Sequence, residues 1–311
     1  MNAYQALVTF EDTNIVGNAY FTSFLRWHHR ARDNWLRSHA LPIYKDLLAG
    51  SQRVVTKQLS MRFFDPTGAS IGDLIKVAID VQLESGKSLV ARSEAQRSGA
   101  LLAAAQQECE FVDRCSRQQL PPRSELLPPS GRAFSIRCPA FLEMLDTCGA
   151  LSDLFLLRLQ GKCRELFLLH HAPSSLELIA RHSLAFHTSQ VACWLIHDVS
   201  LAADDQILTE MRLTKLKGGR LSMRFDYFQA HSKVRGKSLQ WFASGLQEIS
   251  CKRRSAAGMV PCVFPADLLT ALAGFTESVT LRSNICDALD FLDHTEPPRD
   301  QVIATQLETH L

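Results

Sequence analysis

The chain has 311 residues, roughly two domains at about 150 residues each, with 46% hydrophobic and 21% charged residues and a formal net charge of +2. That balance argues against a nucleic-acid partner, and no run reaches the ~18 apolar residues of a membrane-spanning helix. The start, MNAYQALVTF, lacks the basic-then-apolar pattern of a secretory signal, so a cytoplasmic location is expected.

The first predicted element is a strand over 4–10, followed by the polar turn Glu11-Asp12-Thr13-Asn14. A long amphipathic helix is predicted from Gly17 to His39, with Phe21, Phe24, Leu25, His28, Ala31 and Trp35 on one face. Four β-rich runs follow, over 51–64, 71–84, 88–97 and 100–113, with turn residues such as Asp65-Pro66-Thr67-Gly68 between them. The segment 118–131 carries two Pro-Pro pairs and reads as a linker, because Pro-Pro stops helices and ladders.

Beyond it the plan repeats. A strand is predicted over 133–140, a helix over 152–170, and strands over 183–195, 205–216, 220–229 and 239–253. Arg32-Asp33-Asn34-Trp35-Leu36 matches Arg164-Glu165-Leu166-Phe167-Leu168, and Asp12-Thr13 matches Asp146-Thr147. The expected organisation is therefore a unit at 1–117, a Pro-rich linker at 118–131, a second unit at 132–275 and a C-terminal tail at 276–311. The nine cysteines are odd in number and scattered, without a CxxC pair, so reduced thiols are expected. The pairs His28-His29 and His170-His171 are adjacent and do not present two ligands on one helix face, so no metal and no cofactor are expected.

The wording FEDTN-x-VGN-x-YF, then LRW and R-x-R, over 10–32, resembles the hot-dog-fold thioesterases, most of all those that accompany enediyne polyketide synthases. It is similar, less closely, to the 4-hydroxybenzoyl-CoA thioesterase group. MRLTKLKGGRLSMRFDYF (211–228), GLQEISCKRR (245–254) and VPCVFP (260–265) resemble that family's closing strands. The resemblance implies an α+β fold, here a double hot-dog in which each unit wraps an antiparallel sheet around a long helix. It implies hydrolysis of an acyl or polyketide thioester held on an acyl carrier protein or coenzyme A, with a polyketide synthase as partner. Single-unit relatives pair as dimers, so a tandem chain would make that pairing internally; a homodimer of the whole chain stays open.

The same resemblance places Asn14 and Arg32 in the catalytic site, and Asn18, Tyr20 and Phe21 at the helix start whose N–H groups polarise the thioester carbonyl. Gly17 and Phe24 then stand at the substrate, with Phe24 where the family has Tyr. Amide and guanidinium groups donate to an oxyanion without ionising near neutral pH. Asp12 or Glu11 is the nearest carboxylate to position water. Asn14 and Asp12 are also ordinary turn residues, and Arg32 also reads as an interface cation paired to Asp33 or Glu11. Lys252, Arg253 and Arg254 end the last strand and offer positive charge to a carrier protein or to the phosphates of coenzyme A, or form a solvated strand end. The other open readings are a different carrier-bound reaction (dehydration, acyl transfer or decarboxylation) and a non-catalytic acyl-carrier-binding protein. A dehydratase needs a His with an acidic partner, and no His lies in the opening turn.

Overall fold

In the computed structural model, the first helix begins later than its periodicity suggests. Before it, the chain doubles back: Thr13 bridges Ala19, and the Asn14 N–H donates to the Asn18 carbonyl at 2.9 Å. Helix α1 then runs Phe21–His39, burying Phe21, Phe24, Leu25, His28, Ala31 and Arg32 along one face. The Ala40 N–H closes its last turn on Leu36, and a helix not foreseen from sequence, α2 (Leu41–Leu48), opens with Pro42, whose ring suits a first turn. The structure describes residues 2–14, 18–65, 68–84, 86–113, 133–140, 151–171, 177–178, 183–199, 201, 205–217, 219–230, 239–255 and 258–273. Gly17, the Pro-rich linker, Asp146-Thr147 and the tail beyond 273 lie outside them.

The strands are β1 (Asn2–Leu7), β2 (Gln52–Phe63), β3 (Leu74–Glu84), β4 (Ser88–Arg97), β5 (Ala100–Asp113), β6 (Phe134–Pro139), β7 (Leu184–Leu195), β8 (Gln206–Lys217), β9 (Arg220–Ala230), β10 (Leu239–Ser255) and β11 (Gly258–Pro261). Two more helices are α3 (Asp153–His171) and α4 (Ala266–Ala273). The predicted strand over 4–10 is corrected to Asn2–Leu7, because Phe10–Asp12 forms a 3-10 turn. All strands join one antiparallel sheet in the order β1-β3-β4-β5-β2-β7-β10-β9-β8-β6, with β11 on β10. Read inward from either end, each group of five has the same order, and β2 meets β7 at the middle.

That middle seam has a two-fold register. Helices α1 and α3 are both 19 residues long and related by an offset of 132, Phe21 to Asp153 and Arg32 to Arg164. The β2–β7 pairing runs from Gln58↔Trp194 to Arg62↔Gln190 and is centred on Ser60↔Ala192, a pair with the same offset. The bulges repeat as well. The ladder skips Lys57 in β2 and Ser189 in β7, and it skips Leu102 in β5 and Phe242 in β10. Bulges re-aim side chains locally, so recurrence at matched positions gives both groups of strands the same inner surface. Leu59 and Met61 of β2 and Val191 and Cys193 of β7 are buried in one core with α1, so the seam is apolar as well as hydrogen-bonded. Each such side chain contributes about 1.5–3 kcal/mol on burial.

Candidate functional site

Two polar clusters lie between the groups of strands, one at the start of each long helix. The start of α1 is held by backbone. The Tyr20 N–H donates to the Asp12 carbonyl at 2.7 Å, and the Ala19 N–H to Ala69 at 2.6 Å. Ser23 donates its N–H to the Tyr20 carbonyl at 2.8 Å and its hydroxyl to the Asp12 carbonyl at 2.9 Å. The N–H groups of Phe21 and Thr22 have no acceptor inside the helix, which leaves a partial positive charge there. Across from them stands the middle of α3. Tyr20 lies over Gly161, and the Arg164 guanidinium lies against its hydroxyl. Burial pushes the Tyr20 pKa up despite that cation. Arg164 also donates to Gln247 Oε1 of β10 at 3.3 Å, to Thr188 of β7 at 3.4 Å and to Glu165 at 2.8 Å.

The start of α3 is built from the matching residues of the other group. Arg32 donates to Gln107 Oε1 at 2.9 Å, and the Gln107 amide donates to Thr56 at 2.9 Å and to the Asp153 carboxylate at 2.8 Å. Thr56 donates to the same carboxylate at 2.8 Å, and His29 Nε2 stands 3.3 Å from it. The Leu154 N–H donates to the other carboxylate oxygen at 2.7 Å. Burial acts to raise the Asp153 pKa, but His29, Thr56 and Arg32 outweigh it and hold the carboxyl below its usual range. His28 is enclosed, with Ser93 Oγ at 2.7 Å from Nδ1 and Gln107 Oε1 at 3.2 Å from Nε2. The acceptor at Nε2 assigns the proton to that nitrogen. Burial, with the neighbouring His29 and Arg32, lowers the His28 pKa to about 3.

The sequence-derived residues divide between these places. Asn14, Asn18, Tyr20 and Phe21 gather at the start of α1: Asn14 is exposed, Asn18 bridges Ser70, and Tyr20 packs on Phe21 with ring centroids 4.4 Å apart. Arg32 does not join them. It lies eleven residues into α1, about 16 Å along the axis at 1.5 Å per residue, and belongs to the cluster at the start of α3. The guanidinium beside Tyr20 is Arg164, at the matching place in α3. The Asp12 carboxylate accepts from the Thr9 N–H and hydroxyl, both at 2.9 Å, and pairs with Arg26 at 2.5 Å, so it fixes the turn. Phe24 is buried in the core against Trp27 and Phe63. Lys252, Arg253 and Arg254 line the end of β10, paired with β11. Lys252 acts on His187, which also reaches the backbone of Asp65 at the end of β2. Burial first, then Lys252, lowers His187 to about 4.

Sequence reading missed Gln107, Gln247, Thr56, Thr188, Gly161 and Asp153 as site residues. Their signal lies in the offset of 132 itself, which carries Thr56 to Thr188 as it carries Arg32 to Arg164. The glutamines escape it because the hairpins before β5 and β10 differ in length. Among the described residues no helix is long and apolar enough to cross a membrane.

No protein-family model and no curated protein sequence matches the chain. Solved structures do. An acyl-ACP thioesterase from Bacteroides thetaiotaomicron matches over 80% of this chain and 97% of its own, with a TM-score of 0.56 and 8% identity. A 12:0-ACP thioesterase from Umbellularia californica matches over 80% and 94%, with a TM-score of 0.55 and 8% identity. The dynemicin thioesterase matches over 48% of this chain and 100% of its own, with a TM-score of 0.43 and 29% identity. The long matches cover four fifths of this chain and nearly all of the other, and they identify the architecture: this chain has the α+β hot-dog fold found in thioesterases.

Proposed function

We propose that the chain is a thioesterase that hydrolyses an acyl or polyketide thioester presented by an acyl carrier protein or coenzyme A. We further propose that it is a double hot-dog, with units at 1–117 and 132–275 joined by a linker at 118–131 and followed by a tail at 276–311. The repeated strand order, the shared bulges and the two-fold register at Ser60↔Ala192 support the tandem reading. The observation that carries the activity is the uncapped start of α1 facing a buried cation, Arg164, supplied by the other unit.

The thioester carbonyl oxygen accepts from the N–H groups at Phe21 and Thr22, with Asn14 and Asn18 on the adjoining hairpin. Water adds to the carbonyl carbon, and the negative charge that builds on oxygen is stabilised by the helix start and Arg164. The intermediate collapses by breaking the C–S bond, the thiolate takes a proton, and a free acid is released. Asp12 holds the turn and takes no proton from water, since Thr9 and Arg26 occupy it. Lys252, Arg253 and Arg254 receive the phosphate end of coenzyme A or the acidic face of a carrier protein, and a polyketide synthase supplies the loaded carrier.

The test is thiol release from acyl-carrier and acyl-coenzyme A thioesters by the wild type and by Asn14→Ala and Arg164→Met. Loss on the order of 100-fold in each variant is expected. Equal rates in all three proteins would remove the site.

One observation favours a second reading. His29 and Asp153 bring an imidazole and a carboxylate from different units to 3.3 Å, the acid–base pair that dehydration of a carrier-bound chain requires. Product mass separates the two: hydrolysis frees an acid, whereas dehydration removes water and leaves the chain on its carrier.

A further inference from the structure

Gln247 and Gln107 occupy matching places on β10 and β5, and each is clamped by a matching arginine. Gln107 Oε1 accepts from Arg32 at 2.9 Å and Gln247 Oε1 from Arg164 at 3.3 Å. Fixing Oε1 on the arginine turns the amide nitrogen toward the first turn of the other unit's long helix. For Gln107 the result is visible: its Nε2 donates to Asp153, the first residue of α3. The first residue of α1 is Phe21, which brings no acceptor. Gln107 Nε2 also donates to Thr56, whose match, Thr188, accepts from Arg164 instead, and among the described residues Gln247 Nε2 is left buried without a partner, on a residue 1% exposed.

We infer that Gln247 donates its amide N–H to the thioester oxygen of the bound acyl chain at the start of α1. The inference rests on the thioesterase reading above and adds a residue from the second unit to that site. Three features select the ligand atom. The group must be an acceptor, because the free valence is an N–H. It must come from outside the described residues, because none of them accepts from Gln247 Nε2 and α1 lacks the carboxylate that α3 supplies. It gains from negative charge, because Arg164 stands on the same amide. A thioester oxygen, which becomes an oxyanion as water adds, meets all three. Arg164 then acts partly as a positioning residue that sets the Gln247 amide.

The test compares wild type, Gln247→Met (similar size, no N–H), Gln247→Glu (acceptor in place of donor) and Gln107→Met. Steady-state hydrolysis of decanoyl-CoA and a decanoyl carrier protein is read together with Tm and with calorimetric binding of a non-hydrolysable ketone analogue, 2-oxoundecyl-CoA, which keeps the carbonyl and places a methylene between it and sulfur. Expected are a fall in kcat of on the order of 10–100-fold for both Gln247 variants, KM changed less than about threefold, and for Gln247→Met only the small loss of Tm that comes from withdrawing an acceptor from Arg164, less than that of Gln107→Met. Gln107→Met, which strips a donor from Asp153, is expected to lower Tm. Unchanged kcat in Gln247→Met overturns the proposal, and so does a Tm loss equal to that of Gln107→Met, which would show a structural partner. Absence of turnover in the wild type rejects the thioesterase reading separately. In that case, equal analogue binding by wild type and Gln247→Met, or none by either, rejects the role of Gln247.

Discussion

The Tyr20 hydroxyl fills the place where a side chain at Gly161 would begin: a Cβ built there would lie 2.1 Å from Tyr20 Oη. Tyr20 ends the hairpin before α1, and Gly161 lies in the middle of α3, so the contact joins the start of one long helix to the face of the other. The absence of a side chain at 161 allows the tyrosine to reach Arg164. At the matching position of α1 the residue is His29, which instead reaches Asp153.

Gly161→Ala should therefore displace Tyr20 rather than break the fold. The far end of a flexible side chain yields more readily than backbone, and overpacking of this kind costs about 1–3 kcal/mol. Thioester hydrolysis should fall more steeply than stability, and in a Tyr20→Phe background, where the clashing hydroxyl is gone, Gly161→Ala should cost less Tm than it does in the wild type. An equal Tm cost of Gly161→Ala in both backgrounds would show that the methyl clashes elsewhere.

The two arginines should separate in their effects. Arg164→Met should reduce hydrolysis while leaving the start of α3 intact. Arg32→Met removes a charged donor from the buried Gln107 and should cost about 1.5–3 kcal/mol of stability. Denaturant midpoints and thiol-release rates on the two variants check this, and reversed effects would place the working site at α3.

Acid should weaken the fold between pH 6.5 and about 3. His28 has its pKa lowered by burial, and then by His29 and Arg32, from 6.5 to about 3. The unfolded chain binds a proton in that window that the folded chain refuses, so stability falls as pH falls. His187, lowered to about 4, acts in the same sense. Asp153 faces the same cluster, but its depressed carboxyl contributes stability that starts to be lost only below about 3.8. His28→Gln, which copies the residue at the matching place in α3, Gln160, should flatten the Tm-against-pH curve above pH 4. An unchanged slope would assign the acid sensitivity elsewhere.

Residues 1–117 expressed alone should aggregate or form a homodimer. Cutting the chain there bares the β2 edge that β7 pairs from Gln58 to Arg62, together with Leu59 and Met61. Unpaired edges with apolar neighbours template association. A monodisperse monomer in sedimentation would contradict the seam's role in folding.

The sequence alone determined the two long helices and most of the strands, though not α2 or the end of β1. Apolar spacing marked α1 and α3, alternation marked β2 to β5 and β7 to β10, and the polar turn before α1 pointed to the helix start, because these signals are local. It also carried the matched motifs Arg32-Asp33 and Arg164-Glu165. It could not pair residues across the seam. Asn14 and Arg32 share a motif, yet the rise of α1 carries Arg32 about 16 Å from the helix start, and the antiparallel packing of α1 on α3 brings Arg164 there instead. Only the tertiary structure decided that Gln107 meets a carboxylate while Gln247 meets none, because the difference lies in which residue, Asp153 or Phe21, the opposite helix happens to present.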